Sequence, residues 1–303
     1  MKKRTIPTRN IGLGPQIHRS WIRVIGGTCV IVLLALTVMG CGERMESMER
    51  QQARLSNQLG VVQVELGEYD RAIDTLNNAI RLEPGDPSEY FLRGVALWNM
   101  GEYQRAMADY TEAIRLARPN QLPPTNERGV VHYYRALLFD DMGDYEHAVA
   151  DYTEAIRLSP QFAPAYRHRG DTYYRTNRLD LALKDYEAAS PLYDQWLIEA
   201  PQCACSWGEK ADFLATCPEQ SLRNGAEAVA DAQKANELQP IHYRVPEWVD
   251  TLAAAYAEKG DFGQAVQWEQ KAISLVPASS AIARKYAARL KLYQQGKPYR
   301  SNM

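Results

Sequence analysis

Apolar and small residues recur along most of this chain at spacings of three and four, which is the period of an α-helix that buries one face. At the N-terminal side the spacing predicts one helix from about residue 44 to 66, marked by Met45, Met48, Gln52, Leu55, Leu59, Val62 and Leu66. At the C-terminal side it predicts an amphipathic helix marked by Ile282, Tyr286, Leu290 and Tyr293, which Gly296 and Pro298 terminate. The pattern therefore predicts an all-α protein.

The region between these two helices repeats itself. The segments GEYDRAIDTLNNAIRLEP (67–84), GEYQRAMADYTEAIRLAR (101–118) and GDYEHAVADYTEAIRLSP (143–160) are near copies, and 177–190 and 260–277 are weaker ones. Each copy follows a segment with small residues at helical spacing. Self-similarity with this period is typical of stacked supersecondary units.

Small residues stand at three fixed positions of six successive units. Position 8 is Gly60, Gly94, Ala136, Gly170, Ala211 and Ala253. Position 20 is Ala72, Ala106, Ala148, Ala182, Ala228 and Ala265, and position 27 is Ala79, Ala113, Ala155, Ala189, Ala235 and Ala272. This pattern resembles the tetratricopeptide repeat (TPR), a helix–turn–helix unit of about 34 residues. The resemblance implies an all-α TPR superhelix of about six units over 53–279, closed by a capping helix and tail in 280–303.

Irregularities interrupt the array. An insertion at 121–128 contains two consecutive prolines, which exclude a helix there. Pro191 stands where the second helix of the fourth unit is expected to end, and the inter-helix turn of the fifth unit, 217–225, is longer than the others.

The N-terminus is typical of a targeting segment. Residues 1–40 contain six basic residues and no acidic one, and Val24–Met39 is uncharged. The ending Val38-Met39-Gly40-Cys41 resembles a bacterial lipobox, which implies a signal peptide over 1–40, a lipid on Cys41, and a tether with the start of the first helix over 41–52. The expected location is then the bacterial cell envelope, lipid-anchored at the outer membrane. The alternative is a single-pass inner-membrane anchor, because Val24–Gly42 is 19 uncharged residues long.

Charge and motifs narrow the function. Without residues 1–40 the chain carries 29 basic and 37 acidic residues, which argues against nucleic-acid binding. The five histidines form no H-E-x-x-H pair, and the sequence has no G-x-S-x-G and no P-loop. We therefore expect no enzyme, no cofactor and no metal. An unrecognised enzyme would need a cleft with perturbed pKa values.

Three cysteines in the repeat region leave alternatives open. Cys203, Cys205 and Cys217 are either part-buried thiols or form one disulfide to Cys217, which an oxidising compartment favours. The C-x-C pair with one distant cysteine is a poor zinc set, since structural zinc takes four ligands.

Charged residues vary together at two positions inside the units. Position 7 is Arg93, Arg135, Arg169 and Lys210 in units two to five, and position 23 of the same units is Asp109, Asp151, Asp185 and Asp231. Units one and six have Leu59 and Leu252 at position 7, and neither has an acid at position 23. We predict an ion pair between the two helices of each charged unit.

The TPR resemblance also implies a concave groove lined by the first helix of each unit. The side chains it places there are Phe91, Val95, Trp98, Asn99, Tyr133, Leu137, Arg167, Tyr174 and Arg175. We expect a membrane-tethered scaffold that binds a protein or peptide partner at these residues. A C-terminal EEVD-like peptide is not expected, because the Lys/Asn set of the carboxylate clamp is not matched. Two alternatives stay open: Trp98 and Tyr133 fill space between units, or the protein is a structural envelope component without a ligand.

Overall fold

A computed structural model describes residues 48–64, 66–117, 129–239, 246–276, 278 and 281–301. The chain divides into two compact units, Met1–Gln51 and Gln52–Met303, and the second unit is described below. The predicted leader, Cys41 and the 121–128 insertion lie outside the described residues.

The described residues form thirteen α-helices and no strand, which confirms the all-α prediction. In chain order they are α1 (48–64), α2 (Tyr69–Leu82), α3 (Pro87–Asn99), α4 (Tyr103–Leu116), α5 (Gly129–Asp141), α6 (Tyr145–Leu158), α7 (Ala163–Arg175), α8 (Leu179–Glu199), α9 (Ala204–Thr216), α10 (Gly225–Leu238), α11 (Pro246–Lys259), α12 (Phe262–Ser274) and α13 (Ala281–Gln294). A short 3₁₀ turn, Gln220–Leu222, lies between α9 and α10.

The helices pack as consecutive antiparallel pairs that stack into a solenoid. In most pairs the first helix ends on a residue in the left-handed region, which turns the chain back sharply. Four of these residues are glycines with φ between 71° and 89°: Gly67, Gly101, Gly143 and Gly260. Asn177 holds the same place between α7 and α8 with φ 60°, because asparagine tolerates this conformation better than other non-glycine residues.

The small residue at position 8 lets a large ring from the second helix approach the first. A Cβ on Gly94 would lie 2.7 Å from the ring of Tyr110, and one on Gly170 would lie 2.7 Å from the ring of Tyr186. Both tyrosines are at most 1% exposed. The glycine and the tyrosine are 16 residues apart in both units, so units two and four form the same contact.

Helix α13 covers the end of the array, as predicted for a cap. Tyr286 and Tyr293 are at most 4% exposed and pack on the apolar residues of α11 and α12. The last helix therefore closes the core of the pair α11–α12, as a terminal cap does.

Two sequence-based expectations need correction. Helix α8 continues through Pro191 to Glu199, because Tyr193, fully buried, and Trp196 pack beyond the proline against α9 and α10. In α1 the apolar stripe at Leu55, Leu59, Val62 and Leu66 is 48–59% exposed. The buried face of α1 is instead the one that carries Ala53 and Gly60, since these small residues allow close contact with α2.

Candidate ligand-binding surface

The first helices of successive units share one surface, which we call the inner surface: the faces of α3, α5, α7, α9 and α11 that contact one another, together with α13. The indole N–H of Trp98 on α3 donates to Asp141 on α5 (2.9 Å), and Arg167 on α7 pairs with Asp212 on α9 (2.6 Å). Lys285 on α13 lies 3.3 Å from Asp141. Helices far apart in sequence therefore meet on this surface.

The predicted ion pairs within units two to four are present and hold this surface in place. Arg93 donates through two nitrogens to Asp109 (2.8 and 2.7 Å), and Arg135 does the same to Asp151 (2.6 and 2.9 Å). The fork of Arg169 binds Asp185 at 2.8 Å through both nitrogens. The prediction is confirmed for these three units, and the paired geometry is the strong form of such a contact.

Each of these arginines also contacts the preceding unit, which sequence reasoning missed. The remaining guanidinium nitrogens of Arg93, Arg135 and Arg169 donate to side-chain oxygens of Asn77 (2.6 Å), Thr111 (3.3 Å) and Thr153 (3.0 Å). The three acceptors occupy one equivalent position of the preceding second helix. The arginines therefore join three helices, and the signal that could have shown it is the recurrence of a polar residue at that position.

One pair also includes a histidine. His132 lies 3.0 Å from Asp151, the carboxylate that Arg135 binds. Burial alone would raise the pKa of Asp151, but the hydrogen bonds from Arg135 and His132 outweigh it and lower that pKa.

The fifth unit departs from this geometry. The ammonium of Lys210 lies 2.7 Å from Asp194 and 2.7 Å from Glu227, but 3.8 Å from the predicted partner Asp231. Burial raises the pKa of Asp231 to about 6; Lys210 opposes the shift, and the charges of Glu227 and Asp194 add to it. The predicted pair exists only as a long contact within a shared cluster.

The unit-two candidates differ in accessibility. Phe91 meets Tyr134 edge-on with 5.1 Å between ring centroids, and Val95 packs in the same cluster. The amide of Asn99 donates to the Val95 carbonyl (2.9 Å). Trp98 is half-buried and reaches Asp141, so it is the unit-two side chain that presents both a ring and a polar contact on the inner surface.

Two candidates in units three and four prove to be buried, which corrects the groove assignment. Tyr133 is 7% exposed, with its ring 4.9 Å from that of Phe162, so it belongs to the core between α5 and α7. Arg167 is 3% exposed and bound to Asp212, so its charge is neutralised beneath the surface. Leu137 is half-buried in the Tyr133 cluster.

Tyr174 and Arg175 lie at the accessible end of α7. Tyr174 is 38% exposed. Arg175 pairs with Asp140 at 2.9 Å and donates to the carbonyl of Ser301 at 3.0 Å. Arg175 thus binds a residue far along the chain that no repeat pattern marks.

Two glutamates of the inner surface, Glu209 on α9 and Glu247 on α11, form no ion pair among the described residues. Burial raises the pKa of Glu209 to about 7; Arg167 opposes the shift, and Asp212 and Glu247 add to it. Burial and the charges of Asp250 and Asp212 raise the pKa of Glu247, and burial with the charge of Glu247 raises the pKa of Tyr134 to about 12.

Other sequence hypotheses have these outcomes. Among the described residues no group of His, Cys, Asp and Glu could hold a metal ion, and no helix is long and apolar enough to cross a membrane. The expected bridge to Cys217 is wrong: Cys203 and Cys205 form a disulfide at the start of α9, and Cys217 is a buried thiol.

Comparison with known proteins identifies the repeat. Residues 57–120 match a tetratricopeptide repeat model, and residues 136–177 match a TPR repeat model. No curated protein matches the chain significantly.

Solved structures with a similar fold are distant in sequence. The crystal structure of MamA is 22% identical over 50% of this chain and 85% of that one, with a TM-score of 0.43. A tetratricopeptide repeat protein from Parabacteroides merdae is 19% identical over 80% and 99%, with a TM-score of 0.38. A chain in the crystal structure of the APC/C hetero-tetramer Cut9-Hcn1 is 14% identical over 80% of this chain and 42% of that chain, with a TM-score of 0.48. The helix pairs within residues 57–120 and 136–177 are therefore similar to tetratricopeptide repeats.

Proposed function

We propose that this protein is a membrane-tethered scaffold of the bacterial cell envelope that binds a protein or peptide partner on the inner surface of its TPR solenoid. One observation carries the binding part. A non-helical segment of the chain itself, residues 296–301, already lies on this surface and contacts α7, α9 and α11 through main-chain and side-chain groups. A surface that holds one extended segment has the groups to hold another.

Other side chains of the inner surface support the same function. Trp98 and Tyr174 present aromatic surface, and Glu209 and Glu247 present carboxylates that form no ion pair among the described residues. Large aromatic side chains beside charges are the composition from which binding hot spots are made. The expected partner segment is therefore basic, with apolar side chains for the rings.

The tether rests on the sequence alone. The order of basic leader, uncharged run, small residue and Cys41 supports lipid attachment and an envelope location. Wild-type protein should incorporate labelled palmitate, and Cys41→Ser should remain unprocessed without label. Wild-type protein that takes up no label and keeps residues 1–40 would instead support the single-pass anchor.

The binding surface is tested by site-specific crosslinking in the full-length protein. A photoreactive amino acid replaces Trp98 on the inner surface or, as the matched control, Leu183 on the second helix α8, which is 39% exposed. We expect discrete crosslinked partners from position 98 and none of them from position 183. Trp98→Ala should then reduce recovery of the same partner at least tenfold at unchanged helicity. Identical products from both positions would contradict the assignment, as would the absence of any product from position 98.

A further inference from the structure

The chain leaves α13 at Gly296 and returns to the inner surface without regular structure. Gly296 has φ 68°, which turns the backbone out of the helix. Ser301 is 6% exposed although no helix or strand contains it, and its N–H donates to the carbonyl of Thr216 at 3.0 Å. We call residues 296–301 the return segment.

Groups on three helices, α9, α11 and α13, contact the return segment. Arg300 pairs with Glu258 on α11 at 2.6 Å and donates to the carbonyl of Ala215 on α9 at 3.3 Å. The guanidinium of Arg289 lies 4.0 Å from the ring centroid of Tyr299, a cation–π distance. The contacts have the composition of a bound peptide: one ion pair, one stacked ring and main-chain hydrogen bonds.

The deepest contact is made by a hydroxyl group. Ser301 donates to Oδ1 of Asp171 on α7 at 2.7 Å, and Tyr186 donates to the same oxygen at 2.8 Å. Asp171 is 1% exposed, and its second oxygen has no hydrogen-bond partner. Nε of Arg167, which is 3% exposed, also lacks one.

Because these buried polar atoms have no hydrogen-bond partner, the site has more hydrogen-bonding groups than the return segment binds. A buried carboxylate oxygen without a hydrogen-bond donor destabilises the folded protein. A ligand that supplies a hydroxyl and a further N–H donor at this position would remove that destabilisation. The return segment is therefore an incomplete match to the groups beneath it.

The charges are complementary. The return segment, Gly-Lys-Pro-Tyr-Arg-Ser, carries two cations and no acid. Its Arg300 pairs with Glu258, which also binds Arg223 at 2.9 Å, and its Ser301 hydroxyl donates to the carboxylate of Asp171. Glu209 and Glu247 lie on the same inner surface. The inner surface thus selects an extended basic segment.

We propose that the return segment is an internal ligand. It occupies the part of the inner surface between α7, α9 and α11 until an extended basic segment of a partner protein displaces it. The displacing segment carries an arginine or lysine that pairs with Glu258, followed by a residue whose hydroxyl and additional donor bind Asp171. This inference rests on the proposed function and adds to it the class of partner segment and a competition that controls access.

The experiment uses a fluorescent peptide with the sequence of residues 296–303 as the probe. Its binding is measured by anisotropy to the full-length chain and to a chain that ends at Lys297. We expect the shortened chain to bind the peptide at least tenfold more tightly, because its site is empty. Glu258→Gln in the shortened chain should weaken binding at least tenfold. Glu146→Gln is the control, since that carboxylate lies on α6 with its side chain 82% exposed, and should leave binding unchanged.

A second variant keeps the length of the chain. Arg300→Gln in the full-length protein removes the ion pair to Glu258 and should raise the affinity for the peptide severalfold without changing the melting temperature by more than a few degrees. Equal binding to the intact, variant and shortened chains, or binding to none, would overturn the proposal. A shortened chain that loses its helicity would overturn it as well, since the return segment would then be part of the core.

The crosslinking result at position 98 separates the two proposals. If partners crosslink there while the peptide fails to discriminate the shortened chain, the internal ligand is wrong and the binding function stands. If the peptide discriminates and position 98 captures nothing, the return segment is a peptide-like closure of its own chain and the proposed partner-binding function is wrong.

Discussion

Two halves of the solenoid handle buried charge differently. In α3–α8 the charges recur in register, with one arginine–aspartate fork per unit at 2.6–2.9 Å. In α9–α13 no register is left: Lys210 is shared among three carboxylates, and Arg289 of the cap pairs with Asp250 beside the fully buried Glu269. The regular half repeats one ion pair within each unit, whereas each ion pair of the other half occurs at a single place.

The difference between the two halves follows from the position of each unit in the array. An arginine–aspartate pair between positions 7 and 23 needs only the two helices of one unit. The same pair therefore forms in each unit that carries both residues. The end of the array has no following unit, so α13 and the return segment must satisfy polar groups that would otherwise face a neighbour. The ion pairs of the two halves are about equally buried, and the comparison can be tested by removing charges from each half.

The largest effect is expected in the irregular half. Arg289→Met removes the partner of Asp250, which is 5% exposed and adjacent to Glu269. We expect a loss of about 3–5 kcal/mol of unfolding free energy, because a buried carboxylate remains unpaired. Urea denaturation followed by circular dichroism measures it. The double variant Arg289→Met/Asp250→Asn should recover most of the loss, and a loss below about 1 kcal/mol in the single variant would show that the pair is solvated.

The regular half should show a smaller effect. Arg135→Met leaves Asp151 with His132 as its remaining partner, and we expect a loss of about 2–3 kcal/mol. Lys210→Met, the matched change in unit five, should cost about 1 kcal/mol, because the side chains of Asp194 and Glu227 are 61% and 42% exposed and regain water. Equal losses in both variants would remove the distinction between fork and shared cluster.

The pH dependence of the two halves should have opposite signs. Burial raises the pKa of Glu269 to about 10, so this group is protonated in the folded protein at neutral pH. Its contribution to stability is full below the ordinary glutamate pKa and is lost as the pH rises towards the folded value. Glu269→Gln should therefore stabilise the protein by about 1–2 kcal/mol at pH 8 and leave it nearly unchanged at pH 4.

The matched group in the regular half is Asp151, whose pKa is lowered. Its contribution is present above the ordinary aspartate pKa of about 4 and disappears as the pH falls through the lowered value. Thermal melts of the Glu269→Gln and Asp151→Asn variants between pH 3 and 9 measure both slopes. A Glu269→Gln variant that keeps the wild-type slope above pH 5 would contradict the assignment.

The smallest effect is expected at the first unit. Leu59 and Leu252 occupy position 7 of units one and six, but Leu59 is 50% exposed and Leu252 is 1% exposed. Leu59→Ala should change the unfolding free energy by less than about 0.5 kcal/mol, whereas Leu252→Ala should cost about 2–5 kcal/mol. A costly Leu59→Ala would mean that the apolar stripe of α1 is covered in solution.

Most of the fold could be predicted because its determinants are local. The small residues and the charges at positions 7 and 23 lie within one helix pair, so their spacing specifies the pair before any tertiary contact forms. The groove residues were predicted less well. A position number indicates the direction of a side chain but not what covers it, and the rings packed over Tyr133 and the carboxylate bound to Arg167 come from other helices.

Pro191 shows the same limit for a helix end. Proline lacks the N–H that an interior helix position uses, so the sequence predicts a stop. The burial of Tyr193 and Trp196 against the next unit outweighs that local cost, and α8 extends by eight residues past the proline to Glu199.

The sequence by itself determined the repeated helix pairs, the close approach at the small residues and the arginine–aspartate forks, because each depends on residues at most about one unit apart. Only the tertiary structure decided which inner-surface side chains stay accessible and where the return segment lies. Ser301 and Asp171 are 130 residues apart, and Arg300 and Ala215 are 85 apart. No period links such residues, since their contact depends on the accumulated rotation of every helix pair between them.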